Sequence, residues 1–189
     1  MNLIRIILIT AAISFIFQSC RQADNTEEVN AAAAYSDSII HQQENIIQYL
    51  MVLNKDIAML DSVEIIHSYD ELRTQTGESL QQVEDMEPFK GDNSLRSAAL
   101  DLFQFYHDIF NNEYEEIIGI LLKGQDSITE ADLAVIDSVS TTIEVREKQF
   151  DEKFKQVHED FAKKHNLILK KREREEGDLL ENNTGEVEP

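Results

Sequence analysis

The sequence predicts an all-α protein, an antiparallel up-down four-helix bundle with long helices, on three observations. Apolar residues recur at spacings of three and four over four long stretches. Only 2 Pro and 6 Gly punctuate the 189 residues, too few for a sheet-rich fold with many tight turns. The breaks between stretches are short, which suits neighbouring antiparallel helices.

Residues 1–19 read as a secretory signal peptide. Arg5 is the only charge, Ile6 to Phe17 is an apolar run, and small residues precede the cut. The run is shorter than the roughly 20 residues a spanning helix needs. The single cysteine, Cys20, closes this segment. Phe17-Gln18-Ser19-Cys20 resembles the relaxed lipobox of bacterial lipoproteins, in which the cysteine is acylated and becomes the mature N-terminus. That resemblance implies lipidation at Cys20 and anchorage to the lipid bilayer. Arg21 after the cysteine implies the outer membrane. Residues 20–30 form a polar tether with no apolar period.

The bundle domain is expected over residues 31–169. The first helix runs from about Ala31 to Leu53 or a little beyond, with the stripe Tyr35, Ile39, Ile46, Leu50, Leu53 and Ile57, interrupted by Gln42 and Gln43. No Gly or Pro marks the break near residues 54–62; Asp61 or Ser62 caps the next helix. That helix runs from about Ser62 to Asp85 on Val63, Ile66, Tyr69, Leu72, Leu80 and Val83. Pro88 bars its continuation, Gly91 permits a turn, and Asp92 or Asn93 caps the third helix.

The third helix is expected to be continuous from about Ser94 to Leu122, with Leu95, Ala99, Leu102, Tyr106, Ile109, Ile117 and Leu121 widened by Phe103, Phe110 and Tyr114. Lys123-Gly124 ends it. The fourth starts at Thr129 with Asp132, or at Ser127 with Glu130, either resembling a capping box. Its stripe is Leu133, Ile136, Val139, Ile143, Phe150, Phe154, Val157 and Phe161. Arg146 and Glu147 break that stripe, which predicts a salt bridge at the bundle's edge. The aromatic stripes of the last two helices are expected to meet. Residues 170–189 are charged and poor in apolar side chains, the composition of a disordered tail. An extended coiled coil is the alternative architecture; the links at 87–93 and 123–127 argue against it.

The segment MEPFKGDNSLRSAALDLFQFYHDIFNNEYEEII, residues 86–118, resembles an uncharacterised family of helical surface lipoproteins of Gram-negative bacteria. The likeness lies in the turn Pro88 to Asp92, in Leu95-Arg96, in the aromatic run Phe103 to Tyr106, and in Phe150, Phe154 and Phe161 of the last helix. It implies a lipoprotein with a helical body and brings no catalytic residue.

Charge and motifs then narrow the function. Lys and Arg number 17 against 37 Asp and Glu, a formal charge of −20. Removing residues 1–19 takes away only Arg5, so −20 becomes −21. Nucleic acid is excluded as a general partner, because phosphate contacts need a basic surface. An anionic membrane surface repels such a body. One cysteine excludes an internal disulfide or a Cys-rich zinc site.

Glu64 and His67 have the Glu-x-x-His spacing of di-metal bundles, but no other histidine has an acid three residues before it. A haem site on His107 or Met59 has no supporting spacing. Gly-x-Ser-x-Gly, phosphate-binding glycine loops and Asp-x-Asp-x-Asp-Gly are missing from the sequence. The pairs Glu115-Glu116 and Asp151-Glu152 read as solvated faces. Four Asp-Ser-aliphatic triplets, at Asp37, Asp61, Asp126 and Asp137, resemble an O-glycosylation signal of bacterial envelope proteins.

The expected function is therefore a membrane-tethered, non-enzymatic binding or structural module with an envelope protein as partner and without metal or cofactor. The alternatives are a metal- or cofactor-carrying bundle and an envelope hydrolase accessory.

Overall fold

The computed structural model describes residues 17–20 and 27–171. These residues form α1 (Glu27–Met59), α2 (Ser62–Glu84), α3 (Ser94–Asn111), α4 (Glu113–Leu121) and α5 (Glu130–Lys164), with a 3-10 turn at Gln125–Ser127. The all-α bundle predicted from the apolar periods is the fold observed. Two short strands, β1 (Phe17–Cys20) and β2 (Ile168–Lys171), pair as an antiparallel ribbon with Cys20 opposite Ile168. The signal and tail were not expected to contribute strands. Residues 1–16 of the expected signal, 21–26 of the tether and 172–189 of the tail lie outside the described residues.

α1 begins at Glu27, four residues before Ala31. Glu27 and Glu28 lie in its first turn, where carboxylates complement the helix dipole. α1 packs chiefly on α2, α2 on α3, and α3 on α5. α2 folds back along α1, so that Ser79, late in α2, donates to Gln42, near the middle of α1. α3 folds back along α2: Arg96 reaches the end of α2 and Tyr69 reaches the end of α3. Lys153 of α5 pairs with Asp101, and Arg146 with Glu113.

The α1–α2 turn explains why no glycine marks it. Leu60 adopts a left-handed backbone at φ 59°, and Asp61 caps α2 by accepting from the amides of Val63 and Glu64. A leucine there costs about 1–2 kcal/mol relative to a right-handed residue. At α5 the Thr129–Asp132 capping box forms. The helix ends in a Schellman motif, with Asn166 left-handed and the Leu167 amide bonded to the Ala162 carbonyl.

The expected third helix is in fact two. Asn112, at φ −128° and ψ −74°, separates α3 from α4. The side-chain amides of Asn111 and Asn112 donate to the carbonyls of His107 and Asp108, both at 2.7 Å. They take acceptors that the helix ladder uses for its own amides, and the ladder breaks. In α2 the first turn is rotated from the expected register. Ile65 is buried, whereas Val63 and Ile66 are exposed.

One end of the bundle, here the base, gathers the start of α1, the α2–α3 turn and the end of α5. Phe89 packs on Tyr35, Phe161 and His165, with ring centroids 5.0–5.7 Å apart. Asp92 accepts from the Ser94 amide and from Lys164 Nζ at 2.6 Å. These bonds hold its carboxyl well below the usual range. Arg96 donates to the carbonyls of Val83 and Glu84 and so supplies the end of α2 with donors. The turn from Pro88 to Asp92 is thus a clasp closing the base. Cys20, paired with Ile168 just beyond α5, lies at this end. The α1–α2 turn lies at the other, the tip, about 50 Å away for a helix of 33 residues.

Candidate functional site

Two features stand out among the described residues: a row of buried polar groups on α5, and an exposed strip on α2 at the tip.

The row on α5 comprises Ser140, Glu147, Asp151 and His158, all buried. Asp151 and His158 are seven residues apart and Ser140 and Glu147 likewise, so the helix turns all four inward. Arg146 does form the expected edge bridge, with Glu113, and its guanidinium lies over the Phe105 ring. Glu147 does not join it. Its carboxyl is buried, with Tyr114 of α4 near enough to feel its charge, and burial together with the charge of Asp151 pushes its pKa up to about 8. At neutral pH Glu147 is therefore largely a neutral acid. The Asp151 carboxylate accepts from Tyr106 Oη at 3.4 Å, so Asp151 also departs from the solvated face expected of it; Glu152 is exposed. His158 shares a 2.8 Å hydrogen bond with Ser36 of α1, and burial lowers its pKa to about 4. Gln42 and Gln43, read as interruptions of the first stripe, are buried too, and Gln42 bridges Ser79 and Gln82. The seam cross-links α1, α3 and α5 through polar contacts.

The tip strip has different chemistry. Of the large apolar side chains exposed in the described residues, six fall between residues 51 and 66: Met51, Val52, Met59, Leu60, Val63 and Ile66. Val63 is the most exposed at 72%. On α2 this apolar start runs into an acidic trough. Ile66 and Asp70, Asp70 and Thr74, and Thr74 and Glu78 are each one helical turn apart on the outer face. A trough of about 310 Å³ is lined by Tyr49, Asp70, Glu71, Thr74, Gln75 and Glu78. A neighbouring one of about 480 Å³ shares Asp70 and Thr74 and adds Arg73, His107 and Asn111. Neither is lined by Glu147, Asp151 or His158.

The residues weighed from sequence fall as follows. Glu64 and His67 are exposed, and His67 lies 3.4 Å from Glu71 rather than facing the core. His107 lines the shallow second trough, while Met59 is exposed at the tip. Glu115 and Glu116 are exposed. Ser38, Ser62, Ser127 and Ser138 of the four triplets are exposed. Among the described residues no group of three His, Cys, Asp or Glu is placed to hold a metal ion. No described helix is long and apolar enough to cross a membrane. Sequence reasoning missed the tip, because Val63 and Ile66 were assigned to the core. The available signal was Ile65 beside them, which supports a register one residue on.

No family model matches the chain, and comparisons with curated proteins and with solved structures find no match.

Proposed function

We propose that this protein is a non-enzymatic lipoprotein of the cell envelope, anchored through acylated Cys20, which binds an envelope protein through the tip of its helical bundle. The outer membrane is the anchoring bilayer, as Arg21 implies. The observation that carries the reading is the concentration of exposed apolar side chains at the α1–α2 turn, at the end of the bundle remote from the start of α1, to which the stretch after Cys20 leads. Exposed apolar clusters of this kind mark interaction surfaces. An anchor at the base points this one away from its own bilayer. Cleavage before Cys20 removes Phe17–Ser19, so the β1–β2 ribbon belongs to the uncut chain.

The test has two arms in cells that make the protein. An alkyne fatty acid should label the wild-type chain and not Cys20→Ser. A photoreactive residue at Val63 should cross-link one defined envelope protein, and the same residue at exposed Gln149 should not. Labelling of the Cys20→Ser chain overturns the anchor. Equal, diffuse cross-linking at both positions overturns the tip.

A further inference from the structure

We infer that the outer strip of α2 is a docking surface for a basic amphipathic segment of a partner protein, whose apolar residues cover Met59, Val63 and Ile66 and whose Lys or Arg side chains enter the trough of Asp70, Glu71 and Glu78. This rests on the tip-binding reading and names the partner's chemistry. Three observations argue for it.

The apolar and acidic parts are continuous on one helix face. Val63, Ile66, Asp70, Thr74 and Glu78 follow one another at three- and four-residue steps, and the trough begins where the apolar cluster ends. A ligand segment with the same period meets both parts along its length, the helix-on-groove geometry of many peptide complexes.

Charge selects the partner's sign. Lys55 and Arg73 are the cations along the strip, the latter 3.9 Å from Asp70, against the six carboxylates of Asp56, Asp61, Glu64, Asp70, Glu71 and Glu78. The whole chain carries −20. A second copy brings like charge to an already acidic face, whereas a basic segment gains attraction and faster encounter.

The turn holds an apolar side chain outward against its backbone preference. Leu60 keeps φ at 59° and remains 42% exposed, although glycine would take this conformation without strain. Strain of this kind collects at functional sites. Here it presents a leucine to solvent between Met59 and Val63.

The experiment uses the full-length chain in neutral detergent and a synthetic 16-residue Leu/Lys amphipathic peptide carrying a central photoreactive group. Affinity is read by fluorescence anisotropy, and the cross-linked positions by peptide mass spectrometry. Cross-links confined to residues 59–78 are expected. Val63→Ser/Ile66→Ser should weaken binding at least tenfold, and Asp70→Asn/Glu71→Gln/Glu78→Gln at least tenfold with loss of the salt dependence. Glu115→Gln/Glu116→Gln, on α4, should leave affinity within twofold. Cross-links spread over several acidic faces, an equal loss in the α4 variant, or cross-links between two copies of the chain overturn the assignment. Those outcomes leave the tip reading standing, since it is judged by the Cys20 and Val63 arms in cells.

Discussion

Glu147→Gln is expected to abolish the loss of stability on the alkaline side. Glu147 has its pKa raised from 4.5 to about 8 in the folded chain, by burial first and by the charges of Asp151 and Glu144 next. Between those values the folded chain holds a proton that the unfolded chain has released. Stability therefore falls as pH rises from about 4.5 to about 8, by an amount on the order of 4 kcal/mol. Glutamine has similar shape and no charge to bury, so this slope disappears.

His158 has the opposite sign. Its pKa drops from 6.5 to about 4 on folding because burial disfavours the cation. The unfolded chain takes up the proton first, and stability falls as pH drops from about 6.5 to about 4, by about 3 kcal/mol. Between about 4.5 and 6.5 the two slopes cancel, and the wild-type curve is flat there with respect to these groups. Each single variant then exposes the other slope. Urea midpoints at pH 4.5, 6.5 and 8.5 should rise and then level for Glu147→Gln, and fall throughout for His158→Gln. Asp92, held low by Lys164 and Ser94, acts only at more acid pH. Parallel profiles for wild type and Glu147→Gln would show that the Glu147 carboxyl reaches water in the folded chain.

This seam also marks where sequence reading stops. Helix number, the caps at Asp61 and Thr129, and the stop before Pro88 were legible because each depends on residues within a few positions of one another. The contacts of Phe105 with Phe150, stacked at 4.7 Å, were legible as two aromatic stripes that had to meet. Glu147, Asp151 and His158 were not. A polar residue in an apolar stripe looks the same whether it points to the edge or to a polar neighbour on another helix. Arg146 and Glu147 are adjacent and took opposite fates, decided by Glu113 on one side and the packed interior on the other.

The start of α2 failed for a related reason. Val63, Ile65 and Ile66 fit two apolar registers equally, and packing into the common core selects the one that buries Ile65. The Asn111-Asn112 break had a local signal that went unread: two adjacent side-chain amides able to compete for helix acceptors. The tip strip is hidden in the sequence for the same reason, since the register that buries Val63 and Ile66 removes two of its exposed apolar residues.

Phe110→Ala is expected to cost about 3–5 kcal/mol, the upper range for a buried aromatic. The Phe110 ring is fully buried, lies parallel to Tyr106 at 6.0 Å, and meets the edge of Tyr114 at 4.9 Å. Its neighbours are large and themselves held, so the space left behind cannot collapse cheaply. Its carbonyl has a further role. The break at Asn112 takes the last carbonyls of α3 out of register with the amides of α4, and Tyr69 of α2 donates to the Phe110 carbonyl at 2.6 Å. Burial first, and the charges of Glu115 and Asp70 next, push the Tyr69 pKa up to about 12, so the phenol keeps its donor proton. Tyr69→Phe removes only the donor and leaves a buried carbonyl unpaired, which should cost about 1–2 kcal/mol. Chemical denaturation of the two variants separates the terms: the alanine loses packing, and the phenylalanine loses the bond that ties the end of α3 to α2. Domains of this size are stable by only about 5–15 kcal/mol, so Phe110→Ala removes a large share of the total. It should lower the midpoint far more than Tyr69→Phe. Equal, small shifts would mean that the ring is not locked between α3 and α4 and that the kink at Asn112 is free to repack.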